Sequence, residues 1–253
     1  MLWSAFWRCF KGTNLLSIVQ LQKLRFISGS PRLCQPQKVT GRNDSSTRWL
    51  RRHLADPYVK KASEDNYRCR SAYKLIQLDD KYHFLLPGHV VVSIDCGASP
   101  GSWTQVAVER VIPNIGGEQG LVVAIDLLDI KAIPGAVIMG RCDFTHKATQ
   151  TKILSLLPSF GVNVILSDMA PNSSGNHSLD HEAILDLCDS AFEFGQKTLK
   201  PGGVFLCKLW DGRGTVDFMQ MLKRSFKLVK KCKPQASRKD SPEIYIYAAG
   251  FIK

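Results

Sequence analysis

The apolar run Val90–Ile94 leads straight into Asp95-Cys96-Gly97-Ala98-Ser99-Pro100-Gly101-Ser102-Trp103, and this junction constrains the fold more than any other part of the chain. The run reads as a strand buried on both faces, the glycines as a turn and the residues from Ser102 as a helix. Such a junction presents bare backbone N–H groups at a helix N-terminus, where a ligand can approach closely. The carboxylate of Asp95 at the strand end argues against a phosphate lying nearby. A ligand with an amino-acid head and no phosphate suits this turn better.

The same alternation recurs along the chain. Residues 47–62 and 71–83 are expected to be helical, with Pro87-Gly88 as a stop. Strands are predicted over Val90–Cys96, Leu121–Leu128, Ala136–Phe144, Val162–Met169, Val204–Trp210, Leu228–Lys233 and Ile244–Phe251. Helices are predicted over Ser102–Val111, Thr149–Leu157, Leu179–Leu199 and Val216–Phe226, with Pro201-Gly202-Gly203 ending the long one. Runs such as Val-Ile-Leu and Val-Phe-Leu are apolar on both faces, as in a parallel sheet covered by helices. The order predicts a doubly wound, Rossmann-like α/β domain, its sheet mostly parallel and its helices on both faces.

Ligands in such sheets lie outside the carboxyl ends of the strands, so the residues there are the candidates. They are Asp95 and the turn with Pro100, Gly101, Ser102 and Trp103, then Asp126, then Asp143. Asp126 lies 25 positions after Gly101, about the offset at which an acid reaches a ribose diol in dinucleotide folds. Asp143 is placed to accept from an adenine amino group, and Trp103 to pack on the ligand or wall its pocket. S-adenosylmethionine, with its amino-acid head, ribose and adenine but no phosphate, fits this set. A nicotinamide dinucleotide would need G-x-G-x-x-G beneath its pyrophosphate. The chain instead has G-x-x-x-G with Pro100 inside it.

Composition sets the boundaries. Of the net charge of +12, residues 1–43 carry +7, from seven basic side chains and no acid. The remaining domain is only mildly basic, which is compatible with RNA but weak support for it. The acid-free leader is rich in Arg, Ser and apolar residues, with Leu15–Phe26 as an imperfect amphipathic helix, and resembles a mitochondrial transit peptide. Gln20, Gln22 and the lack of a small-residue cleavage site weaken a secretory reading; a disordered basic tail is the plain alternative. Residues 28–46 read as linker, so the chain divides into 1–43 and a folded domain over 44–253. No apolar run approaches the roughly 20 residues needed to span a bilayer. The eight cysteines occur singly, without metal-ligand spacing, so no metal site is expected. Cys96, Cys142 and Cys207 are expected inside buried strands as small reduced hydrophobes.

Five segments then occur in order: Ser71-Ala72-Tyr73-Lys74-Leu75, the Asp95–Trp103 turn, Ser167-Asp168-Met169-Ala170-Pro171-Asn172, Cys207-Lys208, and Ser237-Arg238-Lys239 followed by Glu243-Ile244-Tyr245. Together they resemble the FtsJ/RrmJ family of RNA ribose 2′-O-methyltransferases, over about residues 48–253. The resemblance implies a class I S-adenosylmethionine-dependent methyltransferase domain and a Lys-Asp-Lys-Glu tetrad at Lys74, Asp168, Lys208 and Glu243. It implies cofactor contacts at Pro100–Trp103, Asp126, Asp143 and Asp168. Ser99 and Ser102 stand where the family has alanine or glycine; both are small enough to keep the turn, and Ser102 is placed to cap the helix. With its basic leader the chain most resembles mitochondrial members of the family. That implies large-subunit rRNA or a pre-ribosomal particle in the mitochondrial matrix as partner, and a uridine of the peptidyl-transferase A-loop as target.

Methyl transfer to a ribose oxygen is an in-line displacement that asks the protein to align the reactants and manage one proton. Lysine acts as a base only when neutral, against an unperturbed pKa of about 10.4. Burial and a second cation lower that value, while carboxylates oppose the change. Lys208, inside an apolar strand, is expected to be the better-desolvated lysine and to serve the hydroxyl. Lys74 is expected to be the neighbouring cation, with Asp168 and Glu243 orienting the pair. A charged Lys208 that only positions the hydroxyl is the other reading. Asn172 stands where base methyltransferases place a stacking aromatic or a nucleophilic cysteine, which favours an oxygen acceptor.

RNA contacts are expected from Arg51-Arg52-His53, Lys60-Lys61, Arg68-Cys69-Arg70 and Arg238-Lys239, with Asn172–His181 as a mobile wall. Two alternatives stay open: the same chemistry on tRNA or an mRNA cap, and an RNA-binding ribosome-assembly factor that does not catalyse.

Overall fold

The computed structural model describes residues 51–94, 100–113, 120–172 and 174–252. The leader, the linker to residue 50 and the turn residues Asp95–Ser99 lie outside the described residues.

Pro57 breaks the helix expected over 47–62. Proline lacks an N–H and disfavours helical backbone in the residue before it. Asp56 is accordingly extended, with φ −74° and ψ 119°, and its carboxylate accepts the Tyr58 N–H at the start of helix α1 (Pro57–Glu64). Helix α2 (Ala72–Tyr82) follows. The remaining elements are, in order, β1 (Val90–Ile94), α3 (Ser102–Val111), β2 (Leu121–Ile125), β3 (Ala136–Met139), α4 (Lys147–Leu156), β4 (Val162–Ser167), α5 (His177–Thr198), β5 (Leu199–Trp210), α6 (Thr215–Lys223), β6 (Phe226–Cys232) and β7 (Glu243–Phe251).

The strands form one seven-stranded sheet in the order β3-β2-β1-β4-β5-β7-β6. All neighbours from β3 to β5 pair in parallel, and β7 runs antiparallel to both β5 and β6. The parallel strands need crossover connections, whereas β6 returns to β7 without a helix and so pairs antiparallel. Successive side chains point to opposite faces. Val90, Val92 and Ile94 join Ile153 of α4, Ile184 and Phe192 of α5 and Phe218 of α6 in one core layer. Val91 joins Leu75 of α2 and Trp103 and Val106 of α3 in the other. This is the doubly wound α/β domain expected. Among the described residues no helix is long and apolar enough to cross a membrane.

Several boundaries differ from expectation. The strand β5 begins at Leu199, not Val204, because Leu199 pairs with Val162 before the register shifts at Val164 and Val204. Pro201-Gly202-Gly203 therefore forms an irregular entry to the strand, with Gly202 at φ +83°, and does not cap the preceding helix. The second, third and fourth strands stop early, at Ile125, Met139 and Ser167, so Asp126, Cys142, Asp143 and Asp168 lie on loops. Short polar side chains there take backbone N–H groups that would otherwise continue the ladder: Asp126 accepts from Leu128 and Asp143 from Thr145. Cys142 is thus half-buried beyond the strand, whereas Cys207 is buried within β5. Finally, the second half of the expected wall Asn172–His181 is the start of α5. Asn176 caps that helix through Ser178 and Leu179, and Asp180 accepts from the Ser174 and Gly175 N–H groups.

Candidate active site

The antiparallel β5–β7 pair sets Lys208 opposite Tyr245 and Trp210 opposite Glu243. Phe205, Cys207 and Leu209 point into the layer under α5 and α6, so Lys208 faces the other way, toward α2. Lys74, in the first turn of α2, covers that face, and Asp168 follows directly on β4, the neighbour of β5. Four distant stretches of sequence therefore meet at one end of the sheet.

Lys208 Nζ lies 3.2 Å from Asp168 Oδ1 and also donates to the Asp168 carbonyl. Lys74 Nζ lies 2.7 Å from Glu243 Oε2 and 5.9 Å from the Tyr245 ring centre. The side chains of Lys208 and Asp168 are each 11% exposed, those of Lys74 and Glu243 15% and 13%. Lys208 is thus the better-desolvated lysine, as expected, but by a narrow margin. Position distinguishes them more clearly.

Asp168 accepts from Lys208 and, at 2.9 Å, from the Tyr245 hydroxyl at Oδ1; Ser71 Oγ donates to Oδ2 at 3.4 Å. Burial alone would raise its pKa. The Lys208 and Lys74 charges and the bonds from Tyr245 and Lys208 outweigh that burial and hold the carboxyl below the usual carboxylate range. Glu243 is fixed from its other side by Ser237 Oγ at 2.7 Å. Tyr245, Ser71 and Ser237 were not singled out as site residues from sequence, although all three lie within the quoted segments.

Two recesses flank this cluster. One, of about 510 Å³, is lined by Asp126, Leu127, Leu128, Asp143, Thr145, Ala170, Pro171, Asn172, Ala183, Asp186 and Leu187. It brings together the strand-end acids Asp126 and Asp143 with Asp186 of α5, which sequence reasoning missed, and among the described residues no basic side chain lines it. Three carboxylates with apolar walls repel phosphate and suit a ligand that carries amine and hydroxyl donors and a positive charge. That is the character of S-adenosylmethionine, and the residues present fit it. Asp143 is partly engaged already. Its Oδ1 accepts from Thr145 N and Oγ1, bonds that hold its pKa below normal against a smaller desolvation effect.

At the entrance to α3, Gly101 is the N-cap at φ +102°, a left-handed conformation that L side chains rarely adopt. Ser102 therefore stands inside the helix and not at its cap. Its Oγ lies 3.0 Å from Cys69 Sγ. Trp103 does not wall the cleft. It is 1% exposed, donates from Nε1 to the Ser71 carbonyl at 3.0 Å and packs 5.7 Å from the Tyr245 ring. An indole buried this deeply buttresses the site from beneath.

The second recess, of about 300 Å³, is lined by His53, Arg70, Ser71, Lys74, Arg238, Ser241 and Glu243. Asp56 lies 2.5 Å from Arg70 and 3.5 Å from Arg238, and Arg70 also donates to the Ala236 carbonyl. Arg51, Arg52, Lys60, Lys61 and Lys239 are exposed. Arg68 is not part of this basic face; its guanidinium is bonded to the carbonyls of Pro100, Lys131 and Ala132.

Comparison with known proteins agrees with this geometry. Residues 67–251 match the FtsJ-like methyltransferase family. The chain is 46% identical over 220 residues to "rRNA methyltransferase 2, mitochondrial" of Drosophila melanogaster, covering 86% of this chain and 87% of that protein. It is 46% identical over 207 residues to ribosomal RNA large subunit methyltransferase E of Rhodopseudomonas palustris strain HaA2, covering 82% and 86%. A crystal structure from Plasmodium falciparum, described as a ribosomal RNA methyltransferase, superposes with a TM-score of 0.64 at 31% identity over 73% of this chain and 98% of that one. With the sheet order, the clustered Lys74, Asp168, Lys208 and Glu243 and the match over residues 67–251 in agreement, the chain belongs to the FtsJ-like methyltransferase family.

Proposed function

We propose that this protein methylates the 2′-oxygen of a ribose in large-subunit ribosomal RNA, using S-adenosylmethionine, in the mitochondrial matrix. The observation that carries the reading is the meeting of Lys208, Asp168, Lys74 and Glu243 between an acidic recess and a basic one. The acidic recess suits the cofactor and the basic recess suits a phosphodiester, so the acceptor ribose is brought to the lysines between them. Pro100–Ser102, Asp126, Asp143 and Asp168 are assigned to the cofactor. When bound, that cofactor supplies a methyl group on a sulfonium, whose bonding electrons return to sulfur as the new O–C bond forms.

The protein handles the remaining proton and the geometry. Lys208 is assigned to the acceptor hydroxyl. As the neutral amine it takes the hydroxyl proton as the O–C bond forms, and the resulting ammonium is held by the Asp168 carboxylate. Asp168, gripped by Tyr245 and Ser71, fixes the direction of the Lys208 amine. Glu243 does the same for Lys74, which adds a second positive charge toward the acceptor. Asn172 offers neither a nucleophile nor a stacking ring, in keeping with an oxygen acceptor.

The rRNA substrate is supported by the names of the Drosophila and Rhodopseudomonas relatives, and the mitochondrial setting by the Drosophila one and the acid-free leader. A uridine of the A-loop, and a role in mitoribosome assembly, follow from the family resemblance. The test is to methylate rRNA with labelled cofactor, hydrolyse in alkali and separate the products. A 2′-O-methyl ribose resists cleavage, so label is expected in an alkali-resistant dinucleotide. Label released with mononucleotides would mean a methylated base and would overturn the reading. Mapping ribose methylation in mitochondrial rRNA with and without the protein then identifies the nucleotide.

A further inference from the structure

Arg68 carries a basic charge within three residues of the RNA-facing recess, yet its guanidinium is committed to the opposite side. Nη1 donates to the carbonyls of Pro100 at 2.7 Å and Lys131 at 2.9 Å, and Nη2 to that of Ala132 at 2.8 Å. Its own backbone N–H is held by Gln105 Oε1 at 2.9 Å, and Gln105 Nε2 donates to the Asn66 carbonyl at 3.1 Å. The stem is thus anchored on α3 while the fork reaches two further segments.

Those segments are the entrance to α3 and the connection from β2 to β3, which starts at Asp126. None of the three carbonyls lies in a helix or a strand. A planar cation with donors in a fixed fork can bind carbonyls of two separate segments together, which a single ammonium on a flexible stem does poorly. Packing reinforces the bonds. A Cβ on Gly101 would stand 2.8 Å from Ile133 Cδ1, 3.0 Å from Arg68 Nη1 and 3.2 Å from Ile130 Cγ2. The connection therefore sits directly on the backbone of the glycine turn, and Arg68 closes the contact at its rim.

We propose that Arg68 is a positioning residue for the cofactor, a clasp that holds Pro100–Gly101 against Lys131–Ala132 and so fixes the spacing of the two segments assigned to the methionine head and the ribose. The inference rests on reading the acidic recess as the S-adenosylmethionine site. It removes Arg68 from the RNA track, where its neighbours Arg70 and Lys74 remain.

The test uses the full chain with Arg68→Met and Arg68→Lys. Calorimetry without RNA is expected to show S-adenosylmethionine and S-adenosylhomocysteine binding weakened about 10- to 100-fold, the equivalent of about one charge-assisted hydrogen bond. The KM for the cofactor should rise in step while kcat at saturation holds. Hydrogen exchange of the amides over 127–135 should accelerate in the cofactor-free variants. RNA affinity and its salt dependence should stay as in the wild type. Unchanged cofactor affinity would overturn the clasp, and a reduced salt slope alongside it would return Arg68 to the RNA. Where the methionine variant fails to fold, the lysine variant, which keeps the charge and loses the fork, decides alone. Wild-type protein that binds no S-adenosylmethionine would refute the functional reading itself, a result distinct from a variant that binds normally.

Discussion

Lys208 and Tyr245 stand opposite each other across the β5–β7 pair and converge on one oxygen, Asp168 Oδ1, at 3.2 and 2.9 Å. The reversal of β7 makes this possible. It places two cross-strand pairs, Lys208 with Tyr245 and Trp210 with Glu243, at the same end of the sheet as the carboxyl end of β4. The strand topology thereby delivers a cation, a carboxylate and a phenol to one point without a long loop to hold them.

Replacing Lys208 with alanine is expected to reduce single-turnover methyl transfer by about 10²- to 10⁴-fold, the range for loss of a positioned proton-handling group. Cofactor affinity should change little, because Lys208 is assigned to the hydroxyl. Asp168 keeps Tyr245 and Ser71 as partners in this variant, so folding is expected to survive. Near-normal turnover with enzyme in excess would remove Lys208 from the reaction.

Tyr245→Phe tests the hold on Asp168. The carboxyl has a depressed pKa in the folded state, so its ionisation contributes stability that is fully present above the unfolded value near 3.8 and is lost as pH falls through the folded value. Removing the phenol takes away a bond to the charged form and lets that pKa rise. The variant should be less stable than wild type by about 1.5–3 kcal/mol at pH 7, the usual worth of a hydrogen bond to a charged group. The gap should narrow on acidification below about pH 4. Urea titrations at pH 7 and in acid measure it; a gap independent of pH would show that the phenol only fills space.

Much of this site was legible because chemistry sat at element ends. Asp168 after a β-strand, Lys208 inside a run of apolar residues and Lys74 at a helix start each break a local pattern, and a broken pattern is what a sequence displays. Tyr245 broke none. In Ile244-Tyr245-Ile246-Tyr247 an aromatic residue fits either face of a strand, and only the pairing with β5 shows that its hydroxyl reaches Asp168. Arg68 was misplaced for a related reason. Sequence shows a charge beside other charges, whereas the direction of the side chain depends on the Pro100 and Lys131 carbonyls brought near by the fold. Trp103 reads as a pocket wall until its indole N–H is seen on the Ser71 carbonyl. The broken helix at Pro57 was readable from the proline itself and was overridden by apolar spacing.

Asp126→Ala is expected to weaken cofactor binding by roughly 1–3 kcal/mol, the cost of leaving hydrogen-bonding groups unpaired. The carboxylate is buried at the end of β2 and already accepts the Leu128 N–H at 2.6 Å, so its loss also loosens the loop beside the recess. Turnover at saturating cofactor should be affected less than affinity. Calorimetry that gives the wild-type affinity would place the ribose contact elsewhere.

The last expectation concerns Arg238. Asp56 is shared unequally between two arginines: Arg70 lies 2.5 Å away and also binds the Ala236 carbonyl, whereas Arg238 lies 3.5 Å away with its side chain 33% exposed. Arg70 is therefore built into the wall of the basic recess, and Arg238 is the cation better able to swing onto a phosphate. A single phosphate contact releases about one counterion, so its loss lowers the slope of log affinity against log salt by about 1. Arg238→Gln should weaken RNA binding to a similar extent for cognate and unrelated sequences and reduce that slope, with cofactor affinity unchanged. Arg70→Gln should instead lower thermal stability, because it leaves Asp56 without its nearer partner. If Arg238→Gln left the salt slope intact, the recess beside Lys74 would not be the path of the RNA backbone, and the acceptor would have to enter from another side.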